Sequence, residues 1–256
     1  MKRMLSPHLT PLASIENAPN GWRLQIPAGK ARCYRLAQLD DYVTIKRKDF
    51  PYSGQSSLSL RCRVSSANLP GTWGFGFWND PFAFMPGLIA EGSRLPTLPN
   101  ACWFFNASPE NHLTLQNRLP GCGFLAQTFH SPKIPFILLL PGLIGAPLLL
   151  SRHLSRLLRH VSGVVVTQDG MALDLDTTQW HAYRIDWHSG VVIFYVDEQK
   201  VFETKITPRG PLGTVIWIDN QYAAWTPEGR VGMGTLENQS PGWIEIENVV
   251  ITGVNS

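Results

Sequence analysis

The chain has 256 residues, of which 44% are hydrophobic and 16% are charged, and its formal net charge at pH 7 is +3. This length and this hydrophobic content are sufficient for one domain with a sizeable core. The positive charge is small and is concentrated in the arginines and histidines of residues 152–160, and no basic stripe is interleaved with aromatic residues. The composition therefore argues against a nucleic-acid partner.

Residues 1–20 contain scattered apolar residues and prolines rather than a continuous apolar segment. Because this region lacks the core of a secretory signal, it is predicted to be an irregular leader. The protein is predicted to be cytoplasmic, and peripheral attachment to the inner face of the membrane is the alternative. The four cysteines are far apart and contain no CxxC pair, so they are interpreted as reduced, buried thiols. The seven histidines have no metal-ligand spacing, and we predict no metal and no cofactor.

After the leader, short runs alternate polar with β-branched or aromatic residues and are bounded by Gly, Pro, Asn and Asp. Such runs, repeated at short spacing, predict an all-β fold, an antiparallel β-sandwich, in a single domain over residues 21–256. An apolar insertion over residues 131–162 interrupts this domain. Residues 180–206 are predicted to form a meander of consecutive strands.

The run TWGFGFWND shows how a strand would divide its side chains between core and cleft. Trp73, Phe75 and Phe77 alternate with smaller residues and are assigned to the core. The opposite face is assigned to a ligand cleft, because its glycines leave room for a ligand beside Trp78 and Asp80. The alternative for Asp80 is a turn before the following proline.

Polar residues on three later strands extend the predicted cleft. The strand ACWFFNAS contributes Asn106, and GFLAQTFHS contributes Gln127 or, if its faces shift by one residue, Thr128 and His130. In TVIWIDNQYAAW, polar residues adjoin tryptophan as in a binding cleft, although Asp and Asn would also form the turn that ends this strand. The predicted ligand contacts are Trp78, Asn106, Gln127, Trp217, Asn220, Gln221 and Trp225.

Three titratable residues near this cleft are candidate acids or bases, namely Asp80, His130 and Asp219. His130 ends a predicted cleft strand and titrates near neutral pH, with a surface histidine at a strand end as the alternative. The sequence contains no phosphate-binding loop and no nucleophile elbow.

The apolar run IPFILLLPGLIGAPLLL, residues 134–150, precedes the basic run SRHLSRLLRHV. Prolines and glycines would break a helix through the apolar run, so a transmembrane span is not predicted. In the basic run, leucines recur at helical spacing opposite arginines, which is typical of a helix in a lipid headgroup layer. A lid over the protein's own core and an oligomer interface are the alternatives. The predicted membrane or lid residues are Ile134, Phe136, Leu139, Leu143, Leu148, Arg152, Arg156 and Arg159.

The string WHAYRIDWHSGVVIFYVDEQKVFET resembles the late hairpin of concanavalin A-like lectins and family sixteen glycoside hydrolases, and GTWGFGFWND is similar to one of their strands. The resemblance implies a concanavalin A-like jelly roll over roughly residues 57–252, apart from the apolar insertion. It also places ACWFFNAS where those hydrolases carry alternating catalytic carboxylates. Residues 95–109 contain no Asp or Glu, so the resemblance implies the fold without that hydrolytic mechanism.

Three kinds of function agree with these patterns. The first is a glucanase-like sandwich that binds or transforms a lipophilic or amphiphilic ligand, such as a glycolipid or terpenoid, at a membrane surface. An enzyme of this kind would be an acid/base isomerase, hydratase or cyclase. The alternatives are a carbohydrate-active lectin or atypical glycoside hydrolase, and a non-catalytic structural or assembly protein. The fold does not decide among them, and no oligomeric state is predicted.

Overall fold

The computed structural model describes residues 5–81, 94–134 and 151–254. Within these residues the chain forms two seven-stranded antiparallel sheets packed face to face, a two-stranded hairpin and one α-helix. The predicted antiparallel β-sandwich is therefore confirmed. None of the helices in this part of the chain has the length and apolarity that a membrane span requires.

The two sheets are named here by their position relative to the cavity described below. The front sheet consists, in spatial order, of β1 (Ser6–Leu9), β4 (Leu36–Asp40), β13 (Gly213–Asp219), β6 (Thr72–Trp78), β7 (Ala101–Ala107), β8 (Gly123–His130) and β9 (Thr167–Ala172). The back sheet consists of β12 (Gln199–Thr204), β11 (Val192–Val196), β10 (His181–Trp187), β5 (Tyr52–Val64), β16 (Gly242–Val254), β3 (Gly21–Ile26) and β2 (Ser14–Ala18). The other elements are the hairpin β14 (Gln221–Trp225) and β15 (Val231–Thr235), the helix α1 (Arg152–Val165) and a 3-10 turn (Arg47–Asp49).

The core lies between the sheets, where each strand buries alternate side chains. On β6, Trp73, Phe75 and Phe77 face the core as predicted, and each is at most 1% exposed. Rings from β10 meet them from the back sheet, with centroid distances of 5.2 Å from Phe75 to Tyr183 and 5.7 Å from Phe77 to Trp187. Such ring pairs stabilise by about 0.5–1.5 kcal/mol beyond the burial of their area, and here they join the two sheets.

The predicted meander over residues 180–206 is confirmed, because β10, β11 and β12 are consecutive neighbours in the back sheet. At the turn between β11 and β12, Asp197 and Glu198 have φ angles of 48° and 65°. Two successive positive φ angles are typical of the tight turn whose twist matches that of a hairpin.

The predicted irregular leader is wrong for the residues that the structure describes. The strand β1 pairs with β4 at the edge of the front sheet, and β2 pairs with β3 at the edge of the back sheet. Both strands are short and mostly polar, and β1 contains Pro7. An edge strand needs no apolar alternation and tolerates proline, so the pattern that reveals central strands is missing.

The four cysteines are free thiols. The prediction of burial is confirmed for Cys62 and Cys102 but is wrong for Cys33, which is exposed. Burial raises the pKa of the two buried thiols, which disfavours the reactive thiolate form.

The outer face of β6, in the middle of the front sheet, carries Gly74 and Gly76 between larger neighbours. A Cβ atom on Gly76 would lie 2.4 Å from Cβ of Trp103 on β7, and one on Gly74 would lie 2.9 Å from the ring of Trp217 on β13. The two glycines therefore make room for indole side chains from the strands on either side.

Replacing Gly76 by Ala is expected to lower the free energy of unfolding by about 1–3 kcal/mol, because the added methyl group overpacks the strand against Trp103. Urea denaturation measures this change. Gly190→Ala is the matched control, because nothing lies within 4 Å of a Cβ atom at that position. Equal stabilities for the two variants would contradict the role given to Gly76.

Candidate ligand cavity

A cavity of about 330 Å³ lies on the outer face of the front sheet. Its size is in the range of small-molecule sites. Strand register brings together the aromatic side chains of three neighbouring strands, and these form the floor of the cavity. The floor residues are Trp78, Trp103, Phe105 and Trp217.

The floor is a continuous aromatic surface. The ring planes of Trp78 and Trp217 differ by only 8°, with centroids 6.5 Å apart. Trp103 joins them, since its ring centroid lies 5.9 Å from that of Trp78 and 5.6 Å from that of Trp217. Phe105 is nearly parallel to Trp103, at 21° and 5.4 Å. A flat apolar ligand would replace water over this whole surface.

One end of the cavity is polar and is built around Asp219, at the end of β13. Its cross-strand partner Thr72 donates hydrogen bonds to Oδ1 from the backbone N at 3.3 Å and from Oγ1 at 2.9 Å. The backbone N of Gln221 donates to the same oxygen at 3.0 Å. Trp217 Nε1 donates to Thr72 Oγ1 at 3.0 Å, which fixes the hydroxyl that holds the carboxyl group. All hydrogen bonds that the described residues make to Asp219 thus end on Oδ1.

Burial is the largest influence on the charge of Asp219. It raises the pKa of this carboxyl group to about 7, although the hydrogen bonds from Gln221 and Thr72 act in the opposite direction. Near neutral pH the protonated and ionised forms are therefore both populated. Tyr34 lines the same cavity, and burial, followed by the charge of Asp219, raises the pKa of its hydroxyl far above the usual value.

At the opposite end of the cavity, the lining residue Asp80 forms an ion pair with Arg94, which lies behind it. Arg94 Nη1 donates to Asp80 Oδ2 at 2.5 Å, and Nη2 donates to three backbone carbonyl groups in the loop over residues 42–45. Arg47 donates to the backbone oxygen of Asp80 at 2.7 Å. Burial raises the pKa of Asp80, and Arg94 acts against this shift. These contacts give Asp80 a structural role in joining loops.

Among the described residues, the two carboxyl groups that line the cavity are too far apart to act on one bond. Asp219 lies beside Thr72 at one end of β6, whereas Asp80 follows Trp78 at the other end. The seven residues of this strand span about 20 Å at the rise of an extended chain. Glycosidases need two carboxyl groups about 5–10 Å apart. Asp80 and Asp219 therefore do not form such a pair.

The structure brings six of the predicted site residues to the cavity and leaves four outside it. The six that line the cavity are Trp78, Asp80, Gln127, Trp217, Asp219 and Gln221. Asn106 is on the wrong side of its strand, because its cross-strand partners Trp73 and Phe124 both face the core.

His130 shares the core-facing side of β8 with Phe124, and its Nδ1 lies 2.7 Å from the backbone oxygen of Thr207. The alternative assignment of Thr128 and His130 to the cleft is therefore wrong, whereas Gln127 lines the cavity. The three candidate acid/base groups do not come together, since His130 lies on the other side of the sheet from Asp219.

Asn220 and Trp225 hold parts of the chain together instead of lining the cavity. The side chain of Asn220 is completely buried, accepts a hydrogen bond from the backbone N of Arg35 and donates to the backbone oxygens of Cys33 and Leu236. Trp225 Nε1 donates to Ser155 Oγ on α1 at 2.9 Å. Both positions are explained by hydrogen bonds to residues distant in sequence, which the sequence pattern does not reveal.

Helix α1 also differs from its predicted orientation. Arg159 was expected to face lipid headgroups, but it is 3% exposed and donates to the backbone oxygens of Leu115 at 2.6 Å and Thr114 at 2.8 Å. Its aliphatic and charged parts are thus both inside the protein, where backbone carbonyl groups replace water. Arg152 and Arg156 are exposed as expected.

Three apolar residues of α1 face outward. Leu157, Val161 and Val164 are 57%, 50% and 67% exposed and recur at helical spacing on one stripe. Ile134 is half-buried. The predicted lid residues Phe136, Leu139, Leu143 and Leu148 lie outside the described residues.

The sequence prediction does not include several residues that line the cavity, above all Trp103, Phe105, Thr72 and Tyr34. Both faces of ACWFFNAS are apolar, so its single asparagine was a misleading guide to the cleft side. The glycines at alternate positions of β6 are the sequence feature that could have predicted these residues, because they leave space that large side chains from the adjoining strands fill. Tyr34 lies in a loop, where periodicity gives no information.

No family model matches the sequence, and no curated protein matches it. Solved structures that are similar to this chain include a β-glucanase of Bacillus licheniformis, with 11% identity, 93% of this chain and 81% of that chain covered, and a TM-score of 0.47. A family 16 glycoside hydrolase of Bacteroides ovatus in complex with a mixed-linkage glucan product has 9% identity, coverage of 94% and 85%, and a TM-score of 0.49. A pseudo β-1,3-glucanase of Mycobacterium tuberculosis has 10% identity, coverage of 92% and 75%, and a TM-score of 0.49. At such identities the similarity concerns the fold alone and says nothing of activity.

The Asp219→Asn variant is expected to remove part of the pH dependence of stability. The pKa of folded Asp219, about 7, lies above the ordinary value of 3.8, so the folded chain keeps a proton that the unfolded chain releases. The contribution of Asp219 to wild-type stability therefore falls as the pH rises from about 4 to about 7. Relative to the wild type, the variant should gain about 1–3 kcal/mol between about pH 4.5 and pH 8.

Urea denaturation across this pH range measures the difference. Burial also raises the pKa of Asp41, to about 6, but this group is present in both proteins, so their difference isolates Asp219. Stability curves that run parallel for variant and wild type would contradict the assigned pKa.

Proposed function

We propose that the cavity binds an amphiphilic molecule, such as a glycolipid or terpenoid. Its flat or ring-containing apolar body lies over the tryptophans, and its polar group reaches Asp219. The observation that carries this proposal is the combination of a continuous indole floor with polar groups gathered at one end. Each Å² of apolar surface removed from water contributes about 25 cal/mol, so an aromatic floor favours an apolar ligand body.

The arrangement favours binding over hydrolysis by paired carboxylates. On β7, the cavity side presents Trp103 and Phe105, and both are apolar. The two carboxyl groups of the cavity, Asp80 and Asp219, are at opposite ends of β6. A ligand can therefore be held along the floor without meeting the acid and base that cleavage of a glycosidic bond requires.

A second candidate function is acid/base catalysis on the same kind of ligand by an isomerase, hydratase or cyclase. One observation favours it, namely that Asp219 lines the cavity with a pKa of about 7. A group with this pKa both gives up and accepts a proton at neutral pH. Asp219 alone would then transfer the proton, because Asp80 and His130 lie too far from it to take part.

We also propose that the ligand is taken from an anionic membrane surface through α1. The exposed stripe of Leu157, Val161 and Val164 supplies an apolar contact, and the exposed Arg152 and Arg156 supply positive charge. The hairpin β14–β15 connects this helix to the cavity. Its first strand bonds to α1 through Trp225 and Ser155, and its second strand places the exposed Met233 in the cavity lining.

The binding proposal is tested with Trp103→Leu and octyl β-glucoside below its micelle concentration, followed by calorimetry. Loss of the central indole should weaken binding about tenfold, because an aromatic contact of this kind contributes about 1–2 kcal/mol. Trp180→Leu is the matched control, because Trp180 contacts Arg61 and Arg63 outside the cavity and should not affect binding. Equal affinities of both variants and the wild type would argue against ligand binding on this floor.

The membrane proposal is tested by co-sedimentation of the Leu157→Glu, Val161→Glu double variant with phosphatidylcholine vesicles, with and without phosphatidylserine. The variant should lose at least about tenfold in partitioning to the anionic vesicles, because both changes put charge on the apolar stripe. Val250→Glu, on the back sheet, is the control at a similarly exposed valine. Undiminished sedimentation of the double variant would exclude α1 as the contact.

A further inference from the structure

The polar end of the cavity contains hydrogen-bonding atoms that the protein leaves unused. The Tyr34 hydroxyl is buried and has no hydrogen-bond partner among the described residues. The three hydrogen bonds that the described residues donate to the carboxyl group of Asp219 all end on Oδ1 and leave Oδ2 to other partners. A buried polar atom without a partner is costly, and an occupant of the cavity is in a position to supply the missing bonds.

Two polar side chains beside Tyr34 and Asp219 are already engaged within the protein. Asn111 Oδ1 accepts a hydrogen bond from the backbone N of Ala223, and its Nδ2 donates to Ser108 Oγ. Thr72 Oγ1 is held between Trp217 and Asp219. Although both residues line the cavity or its edge, their hydrogen bonds stabilise the fold.

We propose that this end of the cavity selects an uncharged hydroxyl group on the ligand, which accepts a hydrogen bond from Tyr34 and donates one to Asp219. The inference rests on the proposed amphiphile binding and names the polar group that the ligand carries. The matching ligands are alcohols with an apolar body, such as terpenoid alcohols and alkyl glycosides.

The charges around the cavity exclude the two other kinds of polar group. No lysine or arginine occurs among the described residues that line it, so an anionic ligand would meet Asp219 without a counter-charge. A quaternary ammonium would find the indole faces attractive but could not accept the hydrogen bond that Tyr34 offers. A hydroxyl group does both, because it is a donor and an acceptor.

The test compares three ligands that share one apolar chain, namely octyl β-glucoside, octyl sulfate and octyltrimethylammonium, each below its micelle concentration and measured by calorimetry. We expect the glucoside to bind about tenfold more tightly than either charged ligand. Tyr34→Phe should lose about five- to tenfold in affinity for the glucoside and little for the other two. Tyr195→Phe is the control, because that ring stacks on Arg184 on the back sheet.

The possible results distinguish a failure of hydroxyl selection from a failure of amphiphile binding. Equal affinity of the wild type for all three ligands, tightest binding of the ammonium, or no effect of Tyr34→Phe would overturn the hydroxyl selection while leaving amphiphile binding intact. Failure of all three ligands to bind would overturn both. If Tyr34→Phe does not fold, the ranking of the three ligands by the wild type still decides the question.

Discussion

Glycine at alternate positions of β6 is the constraint on which the cavity depends. A strand in the middle of a sheet normally carries side chains on both faces, and these would fill the space above the sheet. On β6 the outer positions 74 and 76 have no Cβ atom, so Trp217 and Trp103 from the flanking strands extend over the strand. The inner positions of the same strand keep Phe75 and its aromatic neighbours in the core. One strand therefore supplies both the packing of the sandwich and the room for a ligand.

The indole floor also determines the chemistry of the polar end. Trp217 orients the Thr72 hydroxyl, which in turn holds Oδ1 of Asp219. Burial of the carboxyl group in these surroundings raises its pKa to about 7. An acid that is partly protonated at neutral pH suits recognition of a neutral ligand group, and it also suits transfer of a proton. Binding and acid/base catalysis are thus two uses of one arrangement, whereas the carboxyl groups that the described residues place in the cavity do not form a hydrolytic pair.

The sequence was a reliable guide where one face of a strand is core and the other is not. The alternation of aromatic residues with glycine correctly orients β6, and the polar residues that adjoin Trp217 correctly indicate that β13 borders the cavity. Periodicity failed on β7, where both faces are apolar and Asn106 turned out to face the core. It also failed for Asn220, because an amide that joins loops looks the same in sequence as one that binds a ligand. On helix α1 the prediction is wrong for Arg159 alone, because the buried backbone carbonyl groups that accept its hydrogen bonds belong to a loop distant in sequence.

Native mass spectrometry of the protein purified from its own host without detergent shows directly whether the front sheet holds an amphiphile. We expect a defined small molecule that remains bound in the gas phase and proves, after extraction, to have an apolar body and a hydroxyl group. A protein that carries no such molecule and instead retains free oligosaccharides on a glycan array would contradict the account and indicate a carbohydrate-binding lectin.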